Sequence, residues 1–215
     1  MQGLFSPDSK FMRAMSRIGD LLLLNVLYLL TCVPLFTIGA ANTALYTVCF
    51  RFGTDREEGV IRSYFRAFRD NFKQGTVLWL IVLLCGATAC LNTYVFYVMP
   101  GAIRYAFVVC AILFLLVLLI AGYIFPLLSQ FNNDNKSTLR NALILSIGYL
   151  PRSVLVTALN VFPFALMLLD FYSFLQAGFF WVALYFAAAA YGNTFLLRKV
   201  FAPYLKGEEN KEEIS

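Results

Sequence analysis

From Tyr105 to Leu128 the chain runs without a single charged side chain. At about 1.5 Å of rise per helical residue, such a run spans the roughly 30 Å hydrocarbon core of a bilayer. It constrains the fold severely, because in lipid every backbone N–H and C=O must find its partner inside the protein. Helices meet that demand locally. Composition points the same way: 60% of the 215 residues are hydrophobic and 13% are charged, against about 45–50% and about 25% in soluble domains. The expected fold is all-α, a polytopic membrane helix bundle of six transmembrane helices with two short cytoplasmic amphipathic helices. It forms one domain, 1–205, followed by a disordered cytoplasmic tail, 206–215.

The spans are read at about 18–38, 37–52, 76–98, 105–128, 153–170 and 178–198. The first apolar run, Leu21 to Ile38, follows Lys10, Arg13 and Arg17. It exceeds the roughly 7–15 residues of a signal-peptide core, so it reads as a retained helix, kinked at Pro34. The second, Thr37 to Phe52, is short, either a thin span or a re-entrant helix. Charge favours the span. With the N-terminus inside and six crossings, every one of the 17 Lys and Arg except Arg104 lies on the cytoplasmic side, as the positive-inside rule asks. Without that crossing every later loop would invert.

Two connectors carry helical periodicity. In 58–73, Val60, Ile61, Tyr64, Phe65, Phe68 and Phe72 form one side, and Arg62, Arg66, Arg69 and Lys73 mainly the other. This suits a helix lying at a membrane surface, or a docking surface for a cytoplasmic partner. In 138–150, Leu139, Leu143, Ile144, Ile147 and Leu150 recur behind Ser137, a residue type that caps helix N-termini. Pro151 is expected to end that helix and Pro163 to break the fifth span.

Signs of catalysis are missing. There is no His, which removes His-based acid–base chemistry and most transition-metal sites. No Gly-rich loop ending in Lys-Ser or Lys-Thr and no Gly-x-Ser-x-Gly elbow occurs. No carboxylate falls in the middle of a predicted span, whereas proton-coupled carriers place one at depth. The five Cys lack metal-ligand spacing. The chain is therefore read as no enzyme, with no cofactor and no metal. Its net charge of +5 marks topology and the anionic inner leaflet rather than nucleic acid. Polar candidates inside the membrane are Asn25, Asn92, Asn160 and Asn193, which either line a path or bond between helices. Gly86, Ala183, Ala187, Ala188 and Gly192 are candidates for close helix packing, the last four as small-xxx-small pairs. Trp79 and Trp181, near span ends, read as interfacial anchors.

Several segments stand out together: Gly19-Asp20 before Leu21–Leu30; Pro34 to Ala41; Thr43 to Tyr46; Tyr64 to Gly75; and Val200 to Tyr204. On these the chain resembles the YesL family of bacterial membrane proteins, over about Phe5 to Lys206. The resemblance implies residence in the bacterial cytoplasmic membrane and an association with carbohydrate importers of the ATP-binding-cassette kind. It implies no mechanism. An importer permease docks on its ATPase through a short helix opening Glu-Ala-Ala, and neither connector has that opening. Two functions remain open: an auxiliary membrane subunit packed against an importer permease, or a small stand-alone transporter or channel, working as a homo-oligomer. Besides membrane lipid, the expected partner is the permease or a second copy of this chain.

Overall fold

The computed structural model describes residues 10–52 and 59–212. Among them the chain is helical, with no strand. α1 (Lys10–Cys32) ends where Pro34 removes an N–H and forbids helical backbone before it. A 3-10 turn, Leu35–Thr37, reverses the chain, and the Thr37 hydroxyl donates back to the carbonyls of Thr31 (2.5 Å) and Pro34 (2.6 Å). α2 (Ile38–Arg51) returns. α3 (Val60–Asp70) is joined to α4 (Phe72–Val98) by Asn71 alone, so the fourth helix begins before the expected Thr76. A 3-10 turn, Ala102–Tyr105, leads into α5 (Ala106–Gln130). Then come α6 (Asn135–Gly148), α7 (Leu150–Leu169), α8 (Phe171–Gln176) and α9 (Gly178–Phe180). A π-helical turn, Trp181–Tyr185, runs into α10 (Phe186–Glu212).

Five of these stretches are long and apolar enough to cross a membrane: Met15–Cys32, Phe72–Val98, Ala102–Gln130, Leu150–Leu169 and Gly178–Tyr204. The remaining expected crossing, 37–52, is α2. Its 14 residues reach only about 21 Å, and nearly all of them are buried inside the bundle.

Other expectations are corrected by the local chemistry. α6 is preceded not by Ser137 but by Asp134, whose extended backbone makes it the boundary residue and whose carbonyl accepts from Thr138 N–H (2.9 Å). Pro151 does not close α6. It lies in the first turn of α7, where a missing N–H costs nothing. Pro163 sits buried within α7 without ending it, and Pro126 within α5. Neighbouring groups in a membrane bundle take up the freed carbonyls. α10 continues to Glu212, into the stretch expected to be a disordered tail; Glu and Lys there are good helix formers.

One end of the bundle gathers the basic residues. Arg198 of α10 donates to the carbonyls of Phe50 (2.7 Å) and Phe52 (3.2 Å), closing the C-terminus of α2. The Arg17 guanidinium lies 4.3 Å from the centre of the Phe52 ring. Gln74 donates to the Asn133 carbonyl at 2.6 Å, and Phe131 meets Phe201 edge-on. α1, α2, α4, α5 and α10 thus share this end. The core lies just above it, around α2. At the far end α4 and α5 pack on each other and leave the rest of the bundle: α4 buries only Gly75 and Leu78, and α5 only its half from Leu119 onward.

Candidate functional site

Above the tip of the α1–α2 hairpin lies a cavity of about 450 Å³, walled by α1, α2, α4, α5, α7 and α10. Its position follows from the shortness of α2. Because α2 turns back early, its N-terminal residues Ile38 and Asn42 form a floor, while α5, α7 and α10 run past it as walls. Gly122 lets α5 and α7 meet beside it: a Cβ there would lie 3.3 Å from Val156 Cγ1 and 3.5 Å from Thr157 Oγ1. Asn42, Tyr46, Thr157 and Asn160 bring polar atoms to the cavity, and no charged side chain lines it. Such a mostly apolar hollow with a few converging polar groups can bind a ligand. Among the described residues no group of three His, Cys, Asp or Glu comes together to hold a metal.

The four intramembrane Asn residues have three different fates. Asn193 is fully buried and donates to Tyr46 Oη (3.1 Å) and to Asn160 Oδ1 (3.0 Å). These two Asn therefore belong together at the cavity's edge, linking α2, α7 and α10. Asn193 Oδ1 is buried without a hydrogen-bond partner. Asn92 lies apart on the exposed face of α4, donating to the Thr88 carbonyl of its own helix.

Asn25 has the most defined task. A π-helical turn widens the i→i+4 ladder and strands backbone groups beside it. The fully buried Asn25 side chain takes them up. Its Nδ2 donates to the carbonyls of Trp181 (3.1 Å) and Val182 (2.6 Å), and its Oδ1 accepts from Ala187 N–H (2.9 Å). One amide thus ties α1 to the π turn by two bonds and to the start of α10 by a third. Nothing in the sequence marks Trp181–Tyr185 as π-helical; the signal was only a polar residue stranded in an apolar run. Trp181, expected at an interface, is itself buried, and its indole N–H donates to the Phe174 carbonyl (3.0 Å). Trp79 donates to the Leu35 carbonyl (2.8 Å), pinning the α1–α2 turn from α4.

Of the small residues, Ala187 is fully buried, whereas Ala183, Ala188 and Gly192 are half-buried. A Cβ on Gly192 would touch nothing, and on Gly86 only Val117, at 3.8 Å. The closest approach is elsewhere. A Cβ on Gly39 would sit 2.1 Å from the Gly75 carbonyl oxygen, and one on Gly75 2.9 Å from Ala40 Cα. Here α2 and α4 cross backbone to backbone. The readable signal was Ala40 and Ala44 spaced by four behind Gly39.

The basic connector α3 divides its surface into three strips. Val60, Ser63, Tyr64 and Ala67 face the bundle, where Tyr64 Oη meets Thr31 Oγ1 at 2.5 Å and burial pushes the Tyr64 hydroxyl pKa up. Ile61, Phe65 and Phe72 form an exposed apolar strip, joined by the half-buried Phe68. Arg62, Arg66, Arg69 and Lys73 form an exposed basic strip beside it. α6 is turned likewise: Thr138, Ala142, Leu145 and Ser146 face inward, while Leu143, Ile144 and Ile147 face out.

Residues 21–93 match the family described as Protein of unknown function, DUF624. That segment holds the second half of α1, all of α2 and α3 and most of α4, and with them Asn25, the Gly39–Gly75 crossing and the basic strip of α3. No curated protein and no solved structure matches the chain.

Proposed function

We propose that the chain is a non-catalytic auxiliary subunit of a bacterial carbohydrate importer of the ATP-binding-cassette kind, packed against the importer's permease in the cytoplasmic membrane. The carbohydrate assignment rests on the resemblance to the YesL family. In this reading α1 and α2 form a hairpin that brings the chain back to the inner face, and both termini lie in the cytoplasm. The distribution of basic residues supports that orientation, since all but Arg104 then lie inside. α3 and α6 are then amphipathic connectors at the inner surface. Their outward apolar strips suit the acyl boundary and the basic strip of α3 suits lipid phosphates or a cytoplasmic component.

The observation that carries the reading is the α4–α5 hairpin. Beyond Leu78 on α4 and before Leu119 on α5, no residue of either helix is fully buried, and only the nearest, such as Trp79, Val82 and Leu118, touch the rest of the bundle. A hairpin that leaves its own bundle offers a permease a two-helix apolar face. Mild-detergent purification of the importer from native membranes tests this: the chain is expected to co-purify, and its consistent absence would overturn the reading. Reporter fusions at residues 53–58 and at the C-terminus test the orientation, and both are expected to report the cytoplasm.

The cavity favours a second reading, a stand-alone transporter. Proteoliposomes holding only this protein would then take up sugar, and absence of flux would remove it.

A further inference from the structure

Of the four candidate intramembrane Asn residues, Asn92 is the one to which the bundle gives no partner on another helix. Asn25 bonds to the π turn and α10, and Asn193 joins Asn160 and Tyr46. Asn92 is exposed, and its Nδ2 reaches only the Thr88 carbonyl of its own helix (2.9 Å). Among the described residues its Oδ1 accepts nothing. It stands within a helix long and apolar enough to cross a membrane, six residues, about 9 Å, before the end of α4 at Val98. Facing lipid, an amide with an idle oxygen and an idle N–H is unfavourable, and polar side chains within spans ordinarily meet a partner.

The residues around Asn92 are arranged for a helix. α4 carries two neighbouring strips with the alternating four- and three-residue spacing of a coiled coil. Val82, Gly86, Ala89, Thr93 and Phe96 make the first. They are half-buried, and Gly86 faces Val117 of α5, which covers this strip. Ile81, Cys85, Thr88, Asn92 and Val95 make the second, and all five are exposed. The second strip thus repeats the spacing of the first with no described residue packed over it. Its compact Cys85 and Thr88 let another helix approach closely. A single Asn in such a strip fixes the register of the helices that pair there.

A second copy of this chain fits that strip. Copies inserted by the same charge rule cross the membrane in the same direction. Two α4 helices then meet in parallel and set equal positions opposite each other. An amide is both donor and acceptor, so the partial charges of Asn92 complement those of its own copy. We propose that the chain pairs with itself through Ile81, Cys85, Thr88, Asn92 and Val95 of α4, the second hydrogen of each Asn92 Nδ2 going to the other's Oδ1. The pairing goes beyond the importer reading and does not depend on it, since Leu80, Leu84 and Leu91, on the far side of α4, stay open to a permease.

The test uses the full chain in phosphatidylcholine vesicles. Energy transfer between copies carrying donor and acceptor fluorophores at the C-terminus is followed as lipid dilutes the protein. Asn92→Leu should weaken pairing about five- to tenfold, Asn92→Gln should keep most of it, and both should keep the wild-type thermal midpoint. Two of the chain's own cysteines locate the surface. Cys85 lies on the proposed strip, and Cys90, also exposed, lies about 140° around the helix, beyond the α5 contact. In variants keeping only one of them, copper phenanthroline should join copies through Cys85 and not through Cys90. Energy transfer no greater than random mixing at every dilution would overturn the proposal. So would an unchanged affinity in Asn92→Leu, equal joining through both cysteines, or joining of Cys85 in native membranes to a different protein alone.

Discussion

α2 and α4 cross at Gly39 and Gly75, yet they obey opposite rules. α2 is short, rich in Ala, Thr and Gly, and almost wholly buried. α4 is nearly twice as long, far more apolar, and buries only Gly75 and Leu78. In water the more apolar helix would lie inside. In lipid, apolar side chains gain little by hiding, and helices associate through close backbone approach and hydrogen bonds. Thus the small and hydroxylated helix takes the centre and the leucine-rich one the periphery. α3 and α6 repeat the pattern, with Ser63, Ala67, Thr138 and Ser146 inward and Ile61, Phe65, Ile144 and Ile147 outward.

The comparison breaks most easily at the crossing. Gly39→Ala places a methyl 2.1 Å from the Gly75 carbonyl oxygen, backbone that cannot swing away. It should cost about 3 kcal/mol or more, read by unfolding in mixed micelles; a wild-type midpoint would show that the helices do not meet so closely. Asn25→Leu comes next. Three interhelical bonds vanish together, and at about 0.6 kcal/mol each the loss is about 2 kcal/mol. Hydrogen exchange should quicken at Ala187 most of all. On the periphery the effect should nearly disappear. Leu84, 70% exposed on α4, should change stability by under about 0.5 kcal/mol when made Ala. If α4 faces a permease, the same change should still reduce co-purification.

The smallest effect lies outside both helices, at α8. Its boundary residue Asp170 accepts from Ser173 Oγ (2.5 Å) and from the N–H groups of Tyr172 and Ser173, and these bonds hold its carboxyl pKa below the usual value. A lowered carboxyl pKa stabilises above the unfolded value and is lost as pH falls through the folded one. α8 should therefore fray only under acid, below about pH 4. Asp170→Ala should remove the pH dependence of the Ser173 amide signal.

The membrane character and the five long helices were legible because hydropathy over a span-length window is a strong signal. Their boundaries were less so. Pro151 reads as a stop in the sequence because a proline ends a helix as readily as it begins one, and only the neighbouring Tyr149 backbone decides between them. The Asn residues stand out by residue type, but their grouping does not. Asn160 and Asn193 meet because α7 and α10 run side by side, while Asn92 faces away. Thr157 carried no mark at all. A threonine in a span ordinarily bonds its own helix, and only packing leaves its hydroxyl idle.

The Asn25 bonds also set an order of events during synthesis. Asn25 emerges early, and its acceptors at Trp181 and Val182 follow more than 150 residues later. At about 5–20 residues per second, the first span waits roughly 8–30 s with its amide in lipid and no proper partner. A nascent chain interrupted before Trp181 lacks all three partners of that amide at once.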